Sequence, residues 1–455
     1  MQKKTLLFVS LAILVSIMAG CIPDFIPPIK LSTTASPLED PAIAVDLRGN
    51  SHIVGVSNDR IVYHRIDKLG SIKRTEILVA DLIVMQSKPD IAVTDDGTAW
   101  IVWIEELPAG KKACFTSIPK AGDFSKECQI LDDDPDSLSS GFVQVTARAN
   151  ATYAVFDSIH EISGKIKALF FRRLDTDALG AIDIYVSDGG ILYGMDIGID
   201  SNGYLHVVYI DRATLVGEPR LRYRANVTMG GFATMGQVWD IWEGLGVDPN
   251  VTPKISFHNF TSSSENVIMA YEGGSGYYAY VATCITDGCG SQVSKFVPDT
   301  NVLDLTEIDI LGYFEPNGYV VSFVGKETVD VYPQVYTWNS KVATITQITN
   351  SDTNKSDLSM VYGFEAVIGF IEYIIKTGPP PLELPFETAT VMEYDLSHGL
   401  RSVFHTACPH TSNDRKLDMA SAMVENIPVA GVWNICDETW FSTNAFLGYM
   451  PLILK

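Results

Sequence analysis

Very little in this chain is basic, and almost none of it is long and apolar. Lysine and arginine total 33 against 55 aspartates and glutamates, for a formal charge of −22. The first twenty residues hold Lys3 and Lys4 and no acid, so the remainder is close to −24. A surface of that sign repels phosphate backbones, so nucleic acid is excluded as an expected partner. After the first twenty residues no apolar run is long enough to span a bilayer. Amphipathic helical spacing is missing, as are a Gly-x-Ser-x-Gly elbow and a phosphate-binding glycine loop, so the common hydrolase and nucleotide-binding frames do not apply. Cysteine is scarce, with seven in 455 residues, and no two stand at CxxC spacing, which leaves a zinc site without support.

What is present begins at the N-terminus. Met1-Gln-Lys-Lys4 precedes an apolar stretch from Leu6 to Met18, followed by Ala19-Gly20-Cys21. A basic start, a short apolar core and small residues at a cut site make an export signal over residues 1–20. Met18-Ala-Gly-Cys21 resembles the bacterial lipobox, with Met where Leu is usual. The resemblance implies a diacylated Cys21 as mature N-terminus, a short tether over 21–40, and a membrane partner reached through lipid. The expected location is the cell envelope or cell surface. Six cysteines then remain, an even number in an exported chain, which favours disulfides. Sequence neighbours suggest Cys114–Cys128, Cys284–Cys289 and Cys408–Cys436.

From residue 41 onward a segment of about fifty residues recurs. Its clearest copies are Pro41-Ala-Ile-Ala-Val-Asp46-Leu-Arg-Gly49-Asn-Ser-His52, Pro89-Asp-Ile-Ala-Val-Thr94-Asp-Asp-Gly97-Thr-Ala-Trp100 and Met195-Asp-Ile-Gly-Ile-Asp200-Ser-Asn-Gly203-Tyr-Leu-His206. Alternating apolar residues form a half-buried strand; Asp or Thr, polar residues and Gly form a tight turn; a β-branched strand follows. Weaker copies start near 141, 252, 305, 357 and 418. A third strand such as Arg60–Arg65 and a shorter fourth such as Thr75–Val79 complete each unit. Four antiparallel strands at this period predict an all-β fold: a single β-propeller over 41–455 of about eight four-stranded blades, with seven as the alternative. The last unit lacks a clear fourth strand. Ile29–Thr34 is placed to supply it and close the ring, with the tail 449–455 competing.

The Pro-x-Ile-Ala-Val-Asp-x-x-Gly-Asn-x-His pattern resembles the repeats of sialidase-like and other exported bacterial propellers. That resemblance implies the fold and leaves the activity open. Asp95-Asp-Gly97-Thr-Ala-Trp100 mimics a sialidase Asp-box, but between the first and second strands instead of the third and fourth, so it reads as coincidence. Arg65, Arg172, Arg222 and Arg224 sit on or beside third strands, where pairing on the blade is expected. His52 and His206 occupy a position that Trp100 fills in another copy, which suits packing. Trp103, Phe156, Tyr209, Tyr271, Phe323, Phe370 and Trp433 recur late in second strands, as inter-blade packing would require.

Topology gives the candidate ligand-binding region. Loops joining strand two to three, and strand four to the next blade, share one face and are long and irregular; the Asp-x-x-Gly turns occupy the other. Candidate ligand-binding residues on the loop face are Glu105, Glu106, Asp157, Asp211, Trp239 and Trp242, from loops that also include 132–136 and the proline-rich 377–385. No cofactor is expected, although the Asp132–Asp136 carboxylates are compatible with calcium. The expectation is a monomeric, non-enzymatic binding or scaffold propeller for an extracellular glycan or protein. The alternative is a sialidase-like or other carbohydrate-active enzyme using paired carboxylates on the same face.

Overall fold

A computed structural model gives the architecture. It describes residues 28–443 outside 33–37, 79–83, 134–137, 140, 161–165, 187–190, 213–217, 226–238, 241–249, 262–263, 274–277, 286–292, 296–301, 314–317, 328–331, 341–343, 363–365, 374–386, 396–398, 409–415, 422–428 and 436–437. Among the described residues there is no helix, and the strands form eight four-stranded antiparallel sheets. The innermost strands are Glu39–Val45, Met85–Val93, Val143–Arg148, Ile191–Ile199, Lys254–Thr261, Val302–Tyr313, Asn354–Tyr362 and Lys416–Ala420. Each touches the next, and Lys416–Ala420 touches Glu39–Val45, so the ring is closed. The all-β propeller read from the repeat is the fold.

The closure is the one expected. Ile29–Lys30 pairs antiparallel with Glu438–Thr443, Ile29 opposite Phe441 and Lys30 opposite Trp440, as the outermost strand of the last blade. The Leu31 N–H donates to the Thr439 carbonyl at 2.8 Å, and Lys30 pairs with Glu438. A strand from the start of the chain thus covers the edge that the final blade would otherwise leave open.

The core is a set of layers between blades. Eight buried clusters each join one blade to its neighbour. Trp103, for example, packs from blade two against Val54, Ile61 and Tyr63 of blade one. Phe156, Tyr209, Tyr271, Phe323, Phe370 and Trp433 do the same elsewhere around the ring. Residues alternate along each strand, so one sheet presents apolar side chains to both neighbours, and each large aromatic serves a layer of its own.

The short turns are fixed by side chains. In the first blade Asp46 accepts from the N–H groups of Arg48 (2.8 Å) and Asn50 (2.9 Å) and from Asn50 Nδ2 (2.7 Å). Gly49 takes φ 78° and Gly203 φ 83°, a region open to glycine without a Cβ penalty. Behind the turn His52 lies 3.5 Å from Asp46 through Nε2 and 2.8 Å from the Tyr63 hydroxyl through Nδ1. Asp200, His206 and Tyr223 repeat this chain, at 3.4 and 2.6 Å. The two histidines are buried links between a turn and a third strand, in keeping with packing. Asp95–Thr98 likewise forms the turn between first and second strands, so the Asp-box mimic is a hairpin turn.

Candidate functional site

The inner strands surround a central axis, the channel of the ring, with a cavity at each face. At the end where they begin, which is the loop face, lies a cavity of about 760 Å³. A second of about 440 Å³ lies at the turn face, lined by the strand ends and by Asp46, Leu47 and Thr94–Asp95. The larger cavity is lined by the equivalent position of seven blades, Ala42, Asp90, Gln144, Lys254, Asp309, Ser359 and Asp418, and Asp196 holds that position in blade four. Every second blade contributes an aspartate.

These aspartates bind the next blade. Asp90 Oδ2 accepts from Val145 N–H at 2.8 Å, Asp196 Oδ2 from Ile255 at 2.8 Å, Asp309 Oδ2 from Met360 at 2.7 Å and Asp418 Oδ2 from Ile43 at 3.0 Å. The Oδ1 atoms of Asp90, Asp309 and Asp418 accept from the N–H of the following residue, at 2.8–3.0 Å. Glu307, one turn of the pleat nearer the mouth, accepts from Asp357 N–H at 2.8 Å and Leu358 N–H at 2.5 Å. Each carboxylate is therefore a staple between neighbouring blades, and Asp90, Glu307, Asp309 and Asp418 also line the cavity.

Electrostatics at the mouth are strained. The ring side chains are half-buried and surrounded by protein. Burial raises the Asp90 carboxyl to about 7; Asp418 and Asp196 repel it further, while its backbone hydrogen bonds pull the other way. Burial lifts Glu307 to about 7, with Asp357 adding to it, and lifts Asp309 to about 6 against the attraction of Lys254. Asp196 and Asp418 are shifted upward by burial as well. Burial alone would lower the Lys254 ammonium; Asp196, Asp309, Asp418 and Glu307 outweigh it and hold the amine protonated. Lys88 and Lys416 stand on the rim, the former donating to the Gly141 carbonyl at 3.0 Å. At Asp40, Lys88 and Asp357, two residues before the ring position, the backbone is left-handed (φ 46°, 50° and 57°), and the inner strand shifts register against its partner there. Such bulges cost backbone energy and bend the strand ends at the rim.

The residues singled out from the sequence lie elsewhere. Glu105 accepts from Trp103 Nε1 and Gln86 Nε2, both at 3.3 Å, and Glu106 pairs with Lys111 at 2.6 Å. Asp157 is buried and accepts from Ser139 Oγ (2.7 Å) and Phe142 N–H (3.0 Å), tying a second strand to its own inner strand. Asp211 is buried and meets Arg222 Nε at 2.8 Å. Trp239 stands on the short outer strand Trp239–Asp240, opposite Tyr223, and Trp242 is outside the described residues. Glu105, Glu106, Asp157 and Asp211 are not among the residues that line the larger cavity. Arg172 pairs with Asp133 and Asp177, as expected of a blade arginine. Asp132 accepts from Ser158 Oγ, and residues 134–136 of the acidic run are outside the described residues.

Cys114 and Cys128 form a disulfide, Cα atoms 5.2 Å apart, between a third strand and the residue preceding a fourth. Among the described residues the close group of potential metal ligands is Glu105 with these two cysteines, whose sulfurs the disulfide already uses. Cys289 and Cys436 lie outside the described residues, and with them the other two pairings. Cys21 and the tail 449–455 also lie outside.

The ring aspartates carry a faint sequence signal. Each precedes the apolar alternation of its repeat, in Pro89-Asp-Ile, Met195-Asp-Ile, Ile308-Asp-Ile and Leu417-Asp-Met. Period two marks them as opposite to the core, and a channel wall looks like open solvent in that pattern.

The sequence matches no protein-family profile, and no curated protein is significantly similar to it. Solved structures share its shape. Prolyl oligopeptidase B from Galerina marginata, bound to a 35mer hydrolysis and macrocyclization substrate, aligns with a TM-score of 0.50 at 9% identity, over 88% of this chain and 56% of that one. The β-propeller domain of the Trilobed protease from Pyrococcus furiosus, with an open velcro topology, gives 0.43 at 8% over 81% and 98%. A subtype N10 neuraminidase-like protein of A/little yellow-shouldered bat/Guatemala gives 0.40 at 8% over 80% and 96%. This chain spans about half the length of the prolyl endopeptidases it matches. At these identities the likeness is one of fold: a β-propeller, a class whose neighbours here include peptidases and sialidase-like proteins.

Proposed function

We propose that this chain is an exported lipoprotein, anchored through Cys21, whose propeller binds an extracellular glycan or protein at the loop-face mouth of the channel without turning it over. The observation that carries the binding half is the engagement of the ring carboxylates. Both oxygens of Asp90, Asp309 and Asp418 already accept backbone N–H groups. A nucleophile or general acid must approach substrate with an oxygen of its own. A rigid, part-desolvated wall of staples suits recognition, because the polar groups are held in place before the ligand arrives. The anchor half rests on Met18-Ala-Gly-Cys21 behind a short apolar run.

One observation favours a second reading, a carbohydrate-active enzyme. Asp90 and Glu307 titrate near 7 and Asp309 near 6, and a carboxyl that stays protonated near neutrality beside an ionised one is what glycoside hydrolysis requires. Glycan and protein arrays probed with the soluble ectodomain, with product analysis on every hit, separate the two. Binding without products supports the proposal. Hydrolysis that disappears when a single cavity carboxylate is changed establishes the enzyme. For the anchor, Cys21→Ser is expected to abolish lipid labelling; normal processing and unchanged membrane partition would refute it.

A further inference from the structure

The two faces differ in where the chain enters. The strand Glu438–Thr443 runs from the mouth side toward the turn side, since Lys416–Asp418 line the mouth cavity and the two intervening hairpin pairings are antiparallel. Ile29–Lys30 runs the opposite way, with Ile29 opposite Phe441 and Leu31 N–H bonded to the Thr439 carbonyl. The N-terminal end of Ile29–Lys30 therefore lies toward the turn face, on the last blade. From Cys21 to Ile29 is eight residues, a span of at most about 27 Å when fully extended. A lipid on Cys21 would hold that face, and not the mouth, within a few nanometres of the bilayer.

Blade one, which closes the ring against the last blade, carries exposed large apolar residues in both of its turns. Its first turn carries Leu47 beside Arg48, where the equivalent turns carry Asp95-Asp96 and Ser201-Asn202. Its second turn carries Lys68-Leu69, followed by Ile72-Lys73. Leu47, Leu69 and Ile72 are 41%, 60% and 47% exposed, a poor arrangement for large side chains in bulk water. Among the described residues the remaining exposed large apolar side chains, Ile77 and Met85, sit toward the loop face of the same blade and the next. Arg48 and Lys68 are exposed beside the leucines, while Lys73 pairs with Asp67 at 2.8 Å.

We infer that the turn face of blade one is a membrane-docking surface, seating Leu47, Leu69 and Ile72 at the headgroup boundary with Arg48 and Lys68 among anionic headgroups. The inference rests on the anchor reading proposed above. Apolar side chains flanked by cations are the composition that settles at a bilayer interface. A short tether supplies a high local concentration, so a contact of three side chains suffices where a free protein would need many more. The docked ring presents its acidic mouth away from the membrane, toward extracellular ligands, and keeps the mouth's carboxylates clear of anionic lipid.

Hydrogen exchange on the full-length lipidated chain tests it, in nanodiscs of phosphatidylethanolamine and phosphatidylglycerol, against the Cys21→Ser chain free in solution. Amides of residues 46–50 and 67–72 are expected to exchange about tenfold more slowly on the bilayer, with no change at 306–309. Leu47→Asp with Leu69→Asp, both at exposed turn positions, should abolish that protection while lipidation and the rest of the exchange pattern stay intact. A lipidated chain protected at the mouth, or at neither face, overturns the docking and leaves the anchor standing. An N-terminal peptide whose mass shows no lipid overturns both.

Discussion

The two ends of the channel use the same residue type in opposite ways. At the turn end, burial alone would raise the Asp46 carboxyl. His52, Asn50 and the backbone N–H groups of Asn50 and Arg48 outweigh it and bring it down to about 2. At the mouth burial raises the Asp90 carboxyl to about 7, Asp418 and Asp196 add to it, and its two backbone N–H groups do not offset it. Donors at the turn exceed what one carboxylate needs; negative charge at the mouth exceeds what Lys254 can balance. A carboxylate neutralised locally builds a turn, and a carboxyl buried among other carboxylates holds its proton to higher pH.

Removing the turn carboxylate should produce the largest loss. Asp200→Ala strands the N–H groups of Asn202 and Tyr204 and the buried His206, and should cost about 3 kcal/mol in urea unfolding. A loss under about 1 kcal/mol would mean the turn chain is not structural.

Acidity should separate the ends next. A carboxyl raised by folding binds its proton more tightly in the folded state, so the stability it withholds returns as pH falls through its folded value. Stability should therefore rise by about 1 kcal/mol from pH 8 to about 6.5, through Asp90, Glu307 and Asp309. Below that range His52 opposes it: its folded value is lowered by burial, so stability is lost as the unfolded chain takes up protons near 6.5. Asp90→Asn with Asp309→Asn should cut the upper limb to roughly half, the share of Glu307, and leave the lower. A wild-type limb that falls from pH 8 to 6.5 would contradict the mouth's excess charge.

The smallest effect is expected from Asp90→Asn alone. The amide oxygen can still accept from Val145 N–H, and relief of the like-charge repulsion offsets the lost acceptor for Ile91 N–H, so unfolding at pH 8 should change by no more than about 0.5 kcal/mol. A loss as large as that of Asp200→Ala would erase the distinction between the ends.

The sequence was most readable where a repeat imposed period two. The blade spacing, the Asp-x-x-Gly turns, the second-strand aromatics and the closing strand at Ile29 all follow from alternation plus turn chemistry, and each is local. The ring of aspartates was opaque for the same reason. Asp90, Asp196, Asp309 and Asp418 come together only when eight inner strands converge on one axis, and no spacing along the chain reports that convergence. Asp157 and Asp211 looked like loop acids because they lie late in second strands; their burial depends on Ser139, Phe142 and Arg222, from outside those strands.

The central claim is that ligand meets the mouth. The affinity of an array-selected ligand should be measured for the wild-type ectodomain, for Asp90→Asn with Asp309→Asn, and for Leu47→Ser at the turn face, with product analysis in each case. The account predicts a loss of about tenfold or more at the mouth, no change at the turn, and no product. Equal affinity in the mouth variant, or product that vanishes with it, would contradict a binding propeller that works through its channel.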